Sequence, residues 1–161
     1  MILIEKNLIT KDACKSLKEI AIKNENDFEP WRDILTRDID LLSDPFSHKL
    51  NNYLTNFLGM RGIVAYAELM QLTIWKKNSK QIMHYDQTRD TTNLTSITYL
   101  NQDFTGGETI FDNGVVVKPE VGKTLFFNGK DYLHGVNPII EGVRYVMAIW
   151  YTSDLNSIIF K

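Results

Sequence analysis

Apolar residues recur at helical spacing in two stretches of the first third of the chain and at strand spacing in most of the remainder. In TKDACKSLKEIAIKN (10–24), Thr10 offers an N-cap, and Ala13, Leu17, Ile20 and Ala21 fall along one side of a helix. In SDPFSHKLNNYLTNFLG (43–59), Asp44 can cap, Pro45 suits the first helical position and Gly59 suits the stop. The apolar stripe there is Phe46, Leu50, Tyr53, Leu54 and Phe57. From Ala65 onward, short runs rich in β-branched and aromatic residues alternate with turn clusters. Strands are expected in AELMQLTIW, QIMHYD, LTSITYLN, ETIFD, VVVKP, TLFFNG, HGVNPII and VRYVMAIWYT. The breaks between them include Gly106-Gly107, Asp112-Asn113-Gly114, Glu120-Val121-Gly122, Asn128-Gly129 and Glu141-Gly142, residues with turn chemistry. Evenly spaced short strands suggest a sandwich, jelly roll or barrel, and helices followed by strands suggest an α+β fold with helices on one face of a sheet. No repeat or linker interrupts the pattern. The expectation is one domain over 1–161, with about 1–62 a helical support region and about 63–153 the β core.

A chain of 161 residues can bury a core without disulfide staples. Its net charge of −2 and pI near 5.9 give no electrostatic grip on nucleic acid or an anionic membrane. Cys14 is the one cysteine, which excludes a disulfide framework and a cysteine-rich zinc cluster. A small buried packing residue is the expected role for it. MILIEKNLIT has too short an apolar run for a signal peptide, and nothing approaches a membrane span. A cytoplasmic, reducing setting is the expectation.

The chain has three histidines, and one of them precedes an aspartate by two residues in QIMHYDQ. On a strand, His84 and Asp86 project to one face while Tyr85 points away. An imidazole and a carboxylate on one face are two thirds of the triad that holds non-haem Fe(II) with coordination positions left open. His134, in DYLHGVNPI, can supply the third ligand. His48 belongs to the second helix and reads as a surface or half-buried helical histidine. Arg144 follows His134 by ten residues, and a reversal through Pro138 and Glu141-Gly142 would return it beside the strand carrying His134. A buried arginine is costly unless it meets an anion, and its fork fits a carboxylate. A zinc hydrolase would need a general base near the metal, and no such base is evident from spacing.

HYD, ITYLN, FTGGETIF, VKPEVGKTLFFNG and HGVNPIIEGVRYVMAIWY occur in an order and spacing that resembles the iron- and 2-oxoglutarate-dependent dioxygenases, most of all their prolyl 4-hydroxylase-like branch. The likeness covers roughly 66–151. It implies a double-stranded β-helix (jelly roll) with the N-terminal helices packed on one sheet. It implies Fe(II) on His84, Asp86 and His134, and 2-oxoglutarate with its distal carboxylate on Arg144 and Tyr99. Thr95, Ile97 and Tyr99 share one strand face, in keeping with that role. O2 would be the oxidant, ascorbate an accessory reductant, and the reaction hydroxylation of an unactivated C–H bond, with peptidyl proline the family-weighted substrate. One departure stands out. The family often has a tyrosine nine residues before the first ligand, followed by Pro-Gly-Gln, where this chain has Trp75 followed by KKNSKQ. Trp75 has no phenol to offer, and both core packing and pocket lining are open to it. Arg89, in QTRDTTN, reads as a solvated loop charge. Trp150 shares the parity of Arg144 and should face inward. Rival readings are a non-catalytic metal-binding jelly roll and a related dioxygenase acting on a free amino acid or nucleic acid. For the last, RYVMAIW stands where nucleic-acid demethylases usually carry an Arg-x-Asn-x-Thr-x-Arg run, and a basic surface is missing.

Overall fold

In the computed structural model, which describes residues 1–40, 43–86 and 89–158, the elements run in the order β1 (Ile2–Glu5), α1 (Lys11–Lys23), β2 (Glu29–Trp31), β3 (Ile34–Asp38), α2 (Pro45–Gly59), β4 (Tyr66–Trp75), β5 (Gln81–His84), β6 (Thr92–Tyr99), β7 (Thr105–Gly106), β8 (Thr109–Phe111), β9 (Val116–Val117), β10 (Thr124–Phe127), β11 (His134–Val136), β12 (Ile139–Glu141) and β13 (Arg144–Thr152). Gln87 and Thr88, at the start of the expected polar loop, lie outside the described residues.

Both helices form for the local reasons expected. The Thr10 hydroxyl accepts from Ala13 N, and the Asp44 carboxylate accepts from Ser47 N at 2.7 Å with Pro45 in the first turn. Each cap satisfies an amide that the helix itself cannot, worth about 1 kcal/mol. The α2 helix stops at Gly59, and the left-handed residue that turns the chain is Gly62 (φ 74°). Neither helix is long and apolar enough to cross a membrane.

Among the described residues, the strands make a large sheet in the order β1-β10-β6-β13-β4-β3-β2, a small sheet β5-β11-β8-β9 and the pair β12-β7. The alternation along β13 divides the molecule. Tyr145, Met147, Ile149 and Tyr151 face the helices, where Leu17, Leu54 and Leu58 pack with Met70, Leu72 and Phe126. Arg144, Val146, Ala148 and Trp150 face the small sheet and, together with its strands, line a cavity. Leu54 is fully enclosed, and Leu54→Ala would cost about 2–5 kcal/mol. The helices therefore act as a clamp behind the sheet, leaving its other face to form the site.

Three expectations need correction. Residues 1–62 are more than helical support, because β1 pairs antiparallel with β10 and the β2–β3 hairpin extends the large sheet beside β4. HGVNPII is two strands, β11 and β12, since Pro138 has no amide to continue a ladder. Arg144 accordingly does not return beside β11: β13 pairs with β4 and β6 in the large sheet, and Arg144 meets the small sheet from across the cavity.

Candidate active site

His84 and His134 are directly opposed on β5 and β11, their rings 4.4 Å apart. In both, Nδ1 lies 2.8 Å from a backbone carbonyl two residues earlier, Ile82 O for His84 and Tyr132 O for His134. A carbonyl only accepts, so Nδ1 carries the proton and the Nε2 lone pair is left free in each neutral ring. Both Nε2 atoms point to Asp86 Oδ1, at 3.7 Å from His84 and 3.3 Å from His134. The ligand atoms of the three residues all lie within 4.8 Å of one another. Burial alone would raise the Asp86 pKa, but its polar surroundings, His134, His84 and the Thr95 hydroxyl, hold it well below the usual carboxylate range. Asp86 lies two residues past the end of β5, and its amide donates to Gly129 O at 2.8 Å, which continues the strand direction that far.

The second carboxylate oxygen is spoken for. Thr95 Oγ1 donates to Asp86 Oδ2 at 2.7 Å and Trp150 Nε1 at 3.3 Å. Gly129 closes the same side, where an added Cβ would stand 2.0 Å from Oδ2. Asp86 thus presents Oδ1 alone to the space between the imidazoles. Two neutral imidazoles and one carboxylate oxygen, all on one side and all electron donors, are a set that fits Fe(II) or a similar divalent cation.

At the other end, Arg144 is 1% exposed and has no carboxylate within ion-pairing distance among the described residues. Its Nε is buried without a hydrogen-bond partner, and its Nη2 donates to Thr109 Oγ1 only at 3.4 Å. The guanidinium carbon lies 4.6 Å from the Trp75 ring centre and 5.3 Å from that of Tyr99. The register explains this: Arg144 is directly opposite Trp75 on β4, and Val146 is opposite Tyr99 on β6. Tyr99 Oη and Thr109 Oγ1 are 2.7 Å apart across the two sheets. Burial raises the Tyr99 pKa and lowers that of Arg144. A buried, unpaired cation with donors still free is a site that fits a carboxylate.

A cavity of about 400 Å³ joins the two ends. Phe127, Val136, Ile97 and Val146 give it apolar walls, and Trp31, Arg32, Tyr85 and Trp150 stand among its further lining residues. The structure thus brings together all five residues singled out from the sequence: His84, Asp86 and His134 at one end, Arg144 and Tyr99 at the other. Trp75 proves both buried and cavity-lining, with its ring face on Arg144 and its Nε1 donating to Thr73. Tyr85, expected to point away, is half exposed and still reaches the cavity. His48 is exposed on α2 beside Asn52, Arg89 is exposed, and Cys14 is fully buried with its thiol pushed up to about 11 by desolvation. Thr109 was missed from sequence. Its signal was parity with Phe111 on a short strand, which a buried packing threonine would share.

Comparison with known proteins bears on this geometry. The family model for the 2OG-Fe(II) oxygenase superfamily matches residues 70–152, over half of the 161. Among curated proteins, prolyl 3-hydroxylase 2 of Homo sapiens is 37% identical over 67 residues, covering 37% of this chain and 10% of that protein. The match thus spans about 10% of the length of such relatives. Among solved structures, a viral collagen prolyl hydroxylase from Paramecium Bursaria Chlorella virus-1, in complex with 2OG, aligns with a TM-score of 0.79 at 20% identity, over 95% of this chain and 96% of that one. A Pseudomonas putida prolyl-4-hydroxylase aligns with a TM-score of 0.80 at 15% identity, over 95% and 92%. These structural likenesses show the shared fold, the double-stranded β-helix expected from the sequence. With residues 70–152, from within β4 to the end of β13, matched to its model, the chain belongs to the 2OG-Fe(II) oxygenase superfamily.

Proposed function

We propose that the chain is a 2-oxoglutarate-dependent dioxygenase that hydroxylates an unactivated C–H bond of a peptidyl residue such as proline. The observation that carries this reading is the two-ended cavity, with a convergent His84–Asp86–His134 donor set at one end and the unpaired Arg144 guanidinium at the other. His84 Nε2, Asp86 Oδ1 and His134 Nε2 would hold Fe(II). When bound, the metal and 2-oxoglutarate supply the oxidising chemistry, the decarboxylation of the keto acid to succinate as O2 is consumed.

The chain's own residues do the binding and the ordering. Arg144 takes the distal carboxylate of 2-oxoglutarate, since among the described residues it is a buried charge without a counterion. The Trp75 ring below it stops the guanidinium from rotating away, and the Tyr99–Thr109 hydroxyl pair can turn one proton toward the same carboxylate. Ile97, Phe127 and Val146 leave water little to bind between the two ends, which strengthens every charge interaction there. Asp86 is held through Oδ2 by Thr95 and Trp150, so that it would offer Oδ1 alone to a metal.

The peptide substrate is supported by the prolyl hydroxylases among the chain's relatives and by the aromatic rim of Trp31, Tyr85 and Trp150. Ascorbate as accessory reductant rests on the family resemblance. The test is incubation with Fe(II), 2-oxoglutarate, O2 and proline-containing peptides, reading succinate and the gain of one oxygen by the peptide. Succinate formation that depends on iron is expected. Its absence in metal-loaded protein would contradict the reading and favour a non-catalytic metal-binding jelly roll.

A further inference from the structure

One charged residue of the cavity has no part in the chemistry above. Arg32 forms the tip of the β2–β3 hairpin and lines the cavity together with Trp31. Its backbone has φ 52°, a left-handed conformation that costs a non-glycine residue roughly 1 kcal/mol or more. Glycine or asparagine would relieve that strain, yet an arginine stands there. Its guanidinium lies 4.6 Å from the Trp31 ring centre, and no carboxylate among the described residues pairs with it. The hairpin beneath is pinned. Ser79 Oγ donates to Asp33 O at 2.7 Å, and Ile34 is buried against Trp75, Val136 and Ile139. The tip is thus held over the cavity on a base shared with the Arg144 end.

Charge decides what such a tip is for. With the imidazoles neutral, the two charges of Fe(II) and that of Arg144 cancel against those of 2-oxoglutarate and Asp86. Among the described residues of the cavity lining, Arg32 is the charged one that this balance leaves over.

We propose that Arg32 is a specificity-determining residue that receives a carboxylate carried by the substrate beside the reacting carbon. This rests on the dioxygenase reading above. The carboxylate belongs to an aspartate or glutamate side chain near the hydroxylated residue, or to the terminal carboxylate of a short peptide or amino acid. The stacked guanidinium keeps its hydrogen-bonding edge free, since the ring covers only its face. An anion there gains a charge-assisted contact that the lysine-bearing or neutral isostere lacks.

The experiment uses the full chain with Fe(II) and 2-oxoglutarate. Proline peptides form matched sets with Glu, Gln or Lys flanking the proline, each with an amidated and a free C-terminus, alongside free L-proline. Succinate formation by the wild-type protein tests the dioxygenase reading, and the ratio of kcat/KM between set members tests Arg32 separately. The wild type should prefer an acidic member over its neutral isostere by about tenfold, a preference that shrinks as salt rises. The amidated pairs place the carboxylate on a side chain and the free-acid members place it at the terminus. Arg32→Gly suits the left-handed turn, so it removes the cation without risk to the fold, and it should erase the preference. Arg32→Glu should turn the preference toward the lysine member. An equal response to acidic and neutral members, a preference that survives Arg32→Gly, or rejection of every acidic probe would overturn the assignment. Iron-dependent succinate formation in that same protein would leave the dioxygenase reading standing.

Discussion

The two ends of the cavity solve opposite electrostatic problems. The metal end gathers electron donors with their outer hydrogen bonds already made: Nδ1 of each histidine to a carbonyl, Oδ2 of Asp86 to Thr95 and Trp150. Its free lone pairs converge on one point and suit a cation. The anion end gathers a cation whose donors are left over, with Nε of Arg144 buried and unpartnered. It is complete only when a carboxylate enters. A ligand that chelates metal at one end and bears a carboxylate at the other relieves both deficits, so the two ends should be separable by mutation and joined by 2-oxoglutarate.

The deepest break would come at the metal end. Replacing His84, Asp86 or His134 by alanine should lower Fe(II) affinity by on the order of a hundredfold or more, beyond the 10–100-fold typical of losing an outer partner. A metal titration checks this, and circular dichroism should show the fold retained. Arg144→Ala attacks the other end. It should weaken 2-oxoglutarate by roughly 10- to 150-fold, the equivalent of about 1.5–3 kcal/mol for a hydrogen bond to a charge, with Fe(II) affinity held. Arg144→Met should leave the melting temperature of the ligand-free protein unchanged or raised, because a buried unpaired charge has gone.

Gly129→Ala is a finer probe of the metal end. Its Cβ would meet Asp86 Oδ2 at 2.0 Å, so the carboxylate must move, and Fe(II) affinity should fall by about 10- to 100-fold. Thr95→Val removes one of the two donors to Oδ2 and should cost about tenfold in Fe(II) affinity, with 2-oxoglutarate affinity following only through the metal. The smallest effects belong to the supports of Arg144. Tyr99→Phe should weaken 2-oxoglutarate by about fivefold, the loss of one neutral hydrogen bond of about 1 kcal/mol. Trp75→Phe keeps an aromatic face and should cost only about twofold to fivefold. A large effect of Trp75→Phe on Fe(II) affinity would blur the division between the ends.

The same division explains what the sequence disclosed. His84 and Asp86 are two residues apart, so strand parity placed them together without tertiary knowledge. Arg144 was reached from its spacing after His134 and from the need of a buried arginine for an anion, Tyr99 through family resemblance, and the register of β13 between β4 and β6 is what unites them. Thr109 carries no such mark, because a threonine on a three-residue strand looks the same whether it faces a pocket or a core. The β2–β3 hairpin escaped notice because Pro30 sits in its first strand and its left-handed turn residue is Arg32, with neither glycine nor asparagine to signal a turn. The β1 strand was hidden for another reason: its partner β10 lies more than a hundred residues on, beyond any local pattern. The placement of Arg144 beside β11 failed at Pro138, where the chain leaves one sheet before it joins another.

The account turns on one ligand bridging both ends. Under anaerobic conditions, 2-oxoglutarate titrated into Fe(II)-loaded protein should develop the charge-transfer absorbance of a chelated keto acid in the wild type and in Arg144→Ala alike. The midpoint for Arg144→Ala should lie about 10- to 150-fold higher in concentration. An unshifted midpoint in Arg144→Ala, or no absorbance change in the wild type, would contradict it.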